Sequence, residues 1–172
     1  DKKEFLEKTK NLEGYLFPDT YLFLPSAEAG QIIGTMRDNF KNKAGDVGKD
    51  IIIMASLIEK EVPESNDRKI VSGILWKRLK IGMALQVDAV FPYITGKQKV
   101  LSSDLKIDSP YNTYLYKGLP PGPISNPGLD AIEAARNPKE TPYFYYLSGK
   151  DGKTHFAKTF AEHLRNKEKY LR

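Results

Sequence analysis

Residues 55–61, Ala-Ser-Leu-Ile-Glu-Lys-Glu, place two carboxylates in the last turns of a segment that is otherwise apolar. Burial penalises the charged form of a carboxyl group and raises its pKa, and the negative end of a helix dipole acts in the same direction. A carboxylic acid that keeps its proton near neutral pH is what protonation of a glycosidic oxygen requires. Glu59 shares a helical face with Ile52, Ala55 and Ser56, whereas Glu61 is turned about 200° away, so the two need not serve one site. The competing reading makes both of them solvated helix-end residues, because carboxylates of structural networks look the same in sequence.

Two further groups carry polar chemistry. Gln86 and Asp88 point to one side of a short alternating segment, Met83 to Asp88, where they either bind sugar hydroxyls or simply face water. Tyr111, Asn112 and Tyr114 sit in a Pro/Gly/Tyr-rich stretch, 108–128, and offer ring faces and hydrogen-bonding groups suited to sugars. An unstructured segment of that length inside a compact domain is either a functional wall or a rigid clamp over the core. His155 and His163 are too isolated to propose a metal site, and no phosphate-binding glycine loop or Gly-x-Ser-x-Gly element is present. Neither a metal nor a cofactor is expected.

The elements that would position these groups can be read from caps and periodicity. Residues 1–25 read as an extended entry segment, punctuated by Gly14, Pro18 and Pro25. Ser26 is expected to cap a helix to about Lys43, and Asp50 another from Ile51 to about Val62 that Pro63 stops. A third helix starts at Ser65 with a stripe of Ile70, Val71, Ile74, Leu75 and Leu79, and ends at Gly82. Met83–Asp88 reads as a strand, Leu129–Arg136 as a short helix, and Tyr143–Leu147 with Thr154–Lys158 as a hairpin around Asp151-Gly152. A polar helix follows Thr159. Helices and short strands without a βαβ rhythm predict a single α+β domain over 1–172.

Composition fits that reading: 40% hydrophobic and 28% charged residues are ordinary for a globular domain, which excludes disorder. The longest apolar run, Ile51 to Ile58, is far short of a membrane span. With no cysteine there are no disulfides or thiolate metal sites. The net charge of +5 is spread along the chain without an Arg/Lys block, which argues against a nucleic-acid partner.

Five stretches together, LEGYLFPDTY (12–21), ASLIEKE (55–61), DRKIVSGILWKRLKIGMALQVD (67–88), SPYNTYLYKGLPPGPISNPG (109–128) and TPYFYYL (141–147), resemble the YceG-like (MltG) family of endolytic peptidoglycan transglycosylases. The resemblance implies a lytic transglycosylase that cuts between N-acetylmuramic acid and N-acetylglucosamine and leaves 1,6-anhydro ends. It makes the first glutamate of the element, Glu59, the acid and base, and puts Glu61, Gln86, Asp88, Tyr111, Asn112 and Tyr114 around the glycan. It also implies work at the extracytoplasmic face of the cell membrane, with cell-wall synthesis proteins as partners. The family's upstream membrane anchor and LysM-like region have no counterpart in these 172 residues. Two rival readings stay open: a muramidase-type hydrolase, and a wall-binding or scaffold module that does not cut.

Overall fold

A computed structural model describes residues 1–171, and the fold is α+β. Its elements are α1 (Lys2–Thr9), α2 (Ala29–Ala44), α3 (Lys49–Glu61), α4 (Ser65–Lys80), α5 (Val90–Thr95), a single 3₁₀ turn (Asp104–Lys106), α6 (Leu129–Arg136), β1 (Tyr145–Ser148), β2 (Thr154–Ala157) and α7 (Phe160–Tyr170). The strands form one antiparallel hairpin with Tyr146 opposite Phe156 and Leu147 opposite His155.

Helix α3 is the central rod. Every residue from Ile52 to Ile58 is buried, so it packs on all sides, chiefly against α6 and also against α4. Truncating Ile52 or Ile58, both with no exposed surface, should cost about 2–5 kcal/mol. The one polar side chain in the run is satisfied: Ser56 Oγ donates to Ile53 O at 2.7 Å and accepts from Ile124 N at 3.0 Å. Ser125 Oγ in turn donates to Ser56 O at 3.1 Å, so the Pro-rich stretch is pinned along the rod.

The same stretch holds the entry segment. Asn126 Oδ1 accepts from Gly14 N at 2.8 Å and from Leu16 N at 3.0 Å. Gly14 has φ +89°, and a Cβ there would meet Ile52 and Pro123 at 2.6 Å, so only glycine lets the chain cross this close to α3.

Several boundaries differ from expectation. Residues 2–9 are helical, not extended, and Asp1 caps them by accepting from Lys3 N at 2.8 Å. Helix α2 starts after Glu28, which forms a reciprocal capping box with Gln31, and Ser26 lies outside it. Gly48 rather than Asp50 is the N-cap of α3, whereas α4 starts at Ser65 as expected, with Glu64 as its N-cap. Helix α5 lies in a stretch for which the sequence gives no element; its Pro92 falls in the first turn, where no N–H is needed. Residues 83–88 do not form a strand: Gln86 has φ +52°, which breaks any ladder, although Leu85 and Val87 are buried and Gln86 and Asp88 exposed as alternation requires. α6, the hairpin and the Thr159 cap of α7 fall where the sequence puts them, to within two residues.

Candidate active site

The end of α3 points three consecutive side chains in three directions, since each residue advances about 100°. Glu61 faces a cavity of about 460 Å³ between α3, α4, the 83–88 segment, the hairpin and α7. Its carboxylate accepts from Tyr146 Oη at 2.8 Å (Oε2) and from Ala89 N at 3.1 Å (Oε1). Burial pushes the Glu61 carboxyl up from its ordinary value; the Tyr146 and Ala89 hydrogen bonds pull it down, Asp88 pushes it up, and Arg78 pulls it down. The net direction is upward, toward an acid that keeps its proton.

Asp88 and Tyr114 form a second carboxylate–tyrosine pair in the same cavity, Tyr114 Oη donating to Asp88 Oδ1 at 2.5 Å. Both tyrosines hold their protons firmly, raised first by burial and then by the facing carboxylates. Gln86 lines the cavity as well, held by its backbone N–H to Thr113 O at 3.1 Å. Thr113 Oγ1 accepts from Val87 N at 2.9 Å, so the 109–128 stretch fixes the segment that carries both Gln86 and Asp88.

Glu59 is elsewhere. It is not among the residues lining the cavity, and its carboxylate is taken up by Arg68 Nη2 at 3.1 Å and by Gly128 N at 3.0 Å. Gly128 is the N-cap of α6, and Arg68 also binds Asp130 Oδ2 at 3.1 Å and Val62 O at 2.9 Å. Glu59 therefore ties α3, α4 and the start of α6 together.

Two of the tyrosine-loop residues do not reach the cavity either. Asn112, expected to face the sugar, is fully buried: its Nδ2 donates to Leu105 O (3.1 Å) and Ile107 O (2.9 Å), and its Oδ1 accepts from Tyr114 N (3.0 Å). Those three bonds use up its donors and shape the loop. Tyr111 packs against Tyr93 with ring centroids 4.9 Å apart, outside the cavity lining.

Residues that sequence reasoning missed complete the site: Tyr146 and Arg78 around Glu61, with His163 and Lys167 of α7 on the facing wall. Alternation along TPYFYYL marks Tyr146 as one face of a strand, but nothing in sequence pairs it with a residue 85 positions away. Among the described residues no three histidine or acidic side chains are grouped to hold a metal, and no helix is long and apolar enough to cross a membrane.

Fold and cavity together define an α+β domain that holds a protonatable carboxyl group in a cleft of tyrosines and polar side chains. The chain belongs to the YceG-like family, whose model matches residues 1–169. It is 42% identical over 194 aligned positions to a protein of Bacillus subtilis (strain 168) named endolytic murein transglycosylase, covering 99% of this chain and 54% of that protein. A protein of the same name from Streptococcus pneumoniae (D39) is 35% identical over 174 positions, covering 90% of this chain and 31% of its own. The crystal structure of a YceG-like protein from Listeria monocytogenes matches with a TM-score of 0.82 at 40% identity, over 95% of this chain and 58% of that one. The chain thus spans about half, or less, of the curated relatives it matches.

Proposed function

We propose that this domain cleaves the glycan strands of peptidoglycan as an endolytic lytic transglycosylase, with Glu61 as its acid and base. The observation that carries this reading is a carboxyl group pushed toward its protonated form inside a cavity of about 460 Å³ lined by Gln86, Asp88 and Tyr114. The names of the relatives supply the substrate class. The resemblance alone favours Glu59, but an acid must reach the leaving oxygen, and Glu59 is committed to Arg68 and Gly128.

The chemistry follows from the hydrogen bonds. Ala89 N–H can only donate, so Oε1 stays an acceptor and the transferable proton belongs on Oε2, beside a tyrosine hydroxyl that can turn from donor to acceptor. Glu61 gives that proton to the glycosidic oxygen as the C1–O bond breaks. The sugar's own C6 hydroxyl then attacks C1, and its proton returns to Glu61, so no water is consumed and the carboxyl group is regenerated. Asp88, oriented by Tyr114, and Gln86 hold the sugar, and α7, which walls one side of the cavity, limits competing water. With such a substrate the domain works on the extracytoplasmic face of the membrane, beside the proteins that build the wall.

A hydrolytic reading rests on one observation, the second carboxylate, Asp88, whose charge acts on Glu61 in the same cavity. Digestion of purified peptidoglycan followed by mass spectrometry separates the readings. Products ending in 1,6-anhydro sugars, lighter by one water than reducing ends, are expected. Reducing ends throughout would replace the transglycosylase by a hydrolase, and no cleavage by the folded domain would leave a binding module.

A further inference from the structure

Resting on the reading of Glu61 as the acid, we propose that Arg78 is a positioning residue for this reaction: it locks the two walls of the cavity together and provides the fixed positive charge that Glu61 faces once its proton has left. Arg78 lies on α4 and is 4% exposed. Its Nε donates to Phe144 O at 2.8 Å, two residues before Tyr146, and its Nη1 donates to Leu85 O at 2.7 Å, one residue before Gln86. One side chain therefore joins the strand that carries Glu61's tyrosine partner to the segment that carries Gln86 and Asp88. The guanidinium carbon also sits 5.2 Å from the centre of the Tyr145 ring.

A tie between two carbonyls needs donors but not a charge. Burying a guanidinium costs several kcal/mol unless it is compensated. Arg78 makes no ion pair with any described carboxylate, yet it lines the cavity into which Glu61 projects, and its charge acts on Glu61. The compensation fits the reaction: after proton donation the cavity would otherwise hold two carboxylates, Glu61 and Asp88, with no buried cation beside them. Arg78 offsets that repulsion without quenching the acid through a direct bond.

The groups facing Glu61 are Arg78 from α4, Asp88 from the 83–88 segment, Tyr114 from the long loop, Tyr145 and Tyr146 from β1, and His163 and Lys167 from α7. His163 is biased toward its neutral form by burial, then by Lys167 and Arg78, which leaves Arg78 and Lys167 as the cations. Lys167 is exposed at the rim, so Arg78 is the buried one.

Two variants test the proposal. Arg78→Gln keeps a donor and removes the charge; Arg78→Lys keeps the charge and loses the two-pronged bridge. In Arg78→Gln, Glu61 should hold its proton harder, moving the high-pH limb of kcat to higher pH. The infrared carboxyl band of labelled glutamate, with Glu61→Gln as blank, should show the same displacement without depending on turnover. In Arg78→Lys the limb should stay in place while kcat falls by about tenfold and KM changes little, as expected of lost alignment. A folded Arg78→Gln with an unmoved Glu61 titration would overturn the charge role. Wild-type kcat in Arg78→Lys, which decides alone if the glutamine variant does not fold, would overturn the positioning role. A wild-type protein whose cleavage ignores the ionisation of Glu61 would instead refute the assignment of the acid.

Discussion

The Tyr146 hydroxyl donates to Glu61 Oε2 at 2.8 Å, across the seam between the last turn of α3 and the first strand of the hairpin. That bond makes the two glutamates of Glu-Lys-Glu unequal. Glu61 is partnered by a reversible donor inside a cavity, and Glu59 by a guanidinium that cannot give up its charge. Glu61→Gln should therefore fold and lose glycan cleavage by about a hundredfold or more, the range typical of a missing general acid. Glu59→Gln should keep most of its turnover and lose about 1–2 kcal/mol of stability through the weakened bonds to Arg68 and Gly128. Muropeptide release and thermal unfolding measured on both proteins decide the matter; cleavage surviving in Glu61→Gln and lost in a folded Glu59→Gln would return the role to Glu59.

The same burial has a consequence for stability. Because the folded state holds the Glu61 proton more tightly than the unfolded chain, its contribution to stability is fully present below the ordinary value of 4.5 and is lost as pH rises through the raised one. Glu61→Gln removes this dependence. Its Tm should match wild type near about pH 4 and exceed it as pH rises from there through the raised value. A difference in Tm that stays constant over that range would show that Glu61 ionises in the folded protein as it does in the unfolded chain.

Asn112 should behave as a structural residue. Asn112→Ala strands two part-buried carbonyls and the Tyr114 N–H, a loss of about 2–4 kcal/mol. Because Thr113 and Tyr114 follow directly, activity should fall together with stability, and lowering the temperature should recover part of both. Chemical denaturation and cleavage assays on the one variant check this; an unchanged midpoint with weakened substrate binding would restore Asn112 to the glycan cleft.

What was legible in sequence was mostly local. The apolar run of α3, its stop at Pro63, the helix Leu129–Arg136 and the Thr159 cap each depend on a few neighbouring residues, and each falls where periodicity and capping put it. What was not legible depended on partners far along the chain. Gln86 and Asp88 point to one side as their alternation suggested, but through a left-handed Gln86 braced by Thr113, not through a strand. The choice between Glu59 and Glu61 turns on Arg68, Gly128 and Tyr146, which lie 9, 69 and 85 residues away respectively. Helical geometry could say only that the two carboxylates diverge.

Asp88 provides the last test, because among the described residues it is the second carboxylate lining the cavity. Its Oδ1 already accepts the Tyr114 hydroxyl, and Tyr114 is held strongly in its protonated form, so Asp88 is occupied as an acceptor on one oxygen only. A general base for water would need its other oxygen free and a water on the far face of the sugar. A residue that orients the sugar needs only its negative charge and its acceptors. Asp88→Asn keeps the shape and an acceptor for Tyr114 but is useless as a base. In ¹⁸O-labelled water the wild type should give anhydro ends without label, and Asp88→Asn the same products at a rate reduced by about tenfold, as for loss of one charged hydrogen bond to the substrate. Tyr114→Phe should show a smaller loss of the same kind, since Asp88 keeps its charge but is no longer held in one orientation. Labelled reducing ends from the wild type that disappear in Asp88→Asn would make Asp88 the base and this domain a two-carboxylate hydrolase.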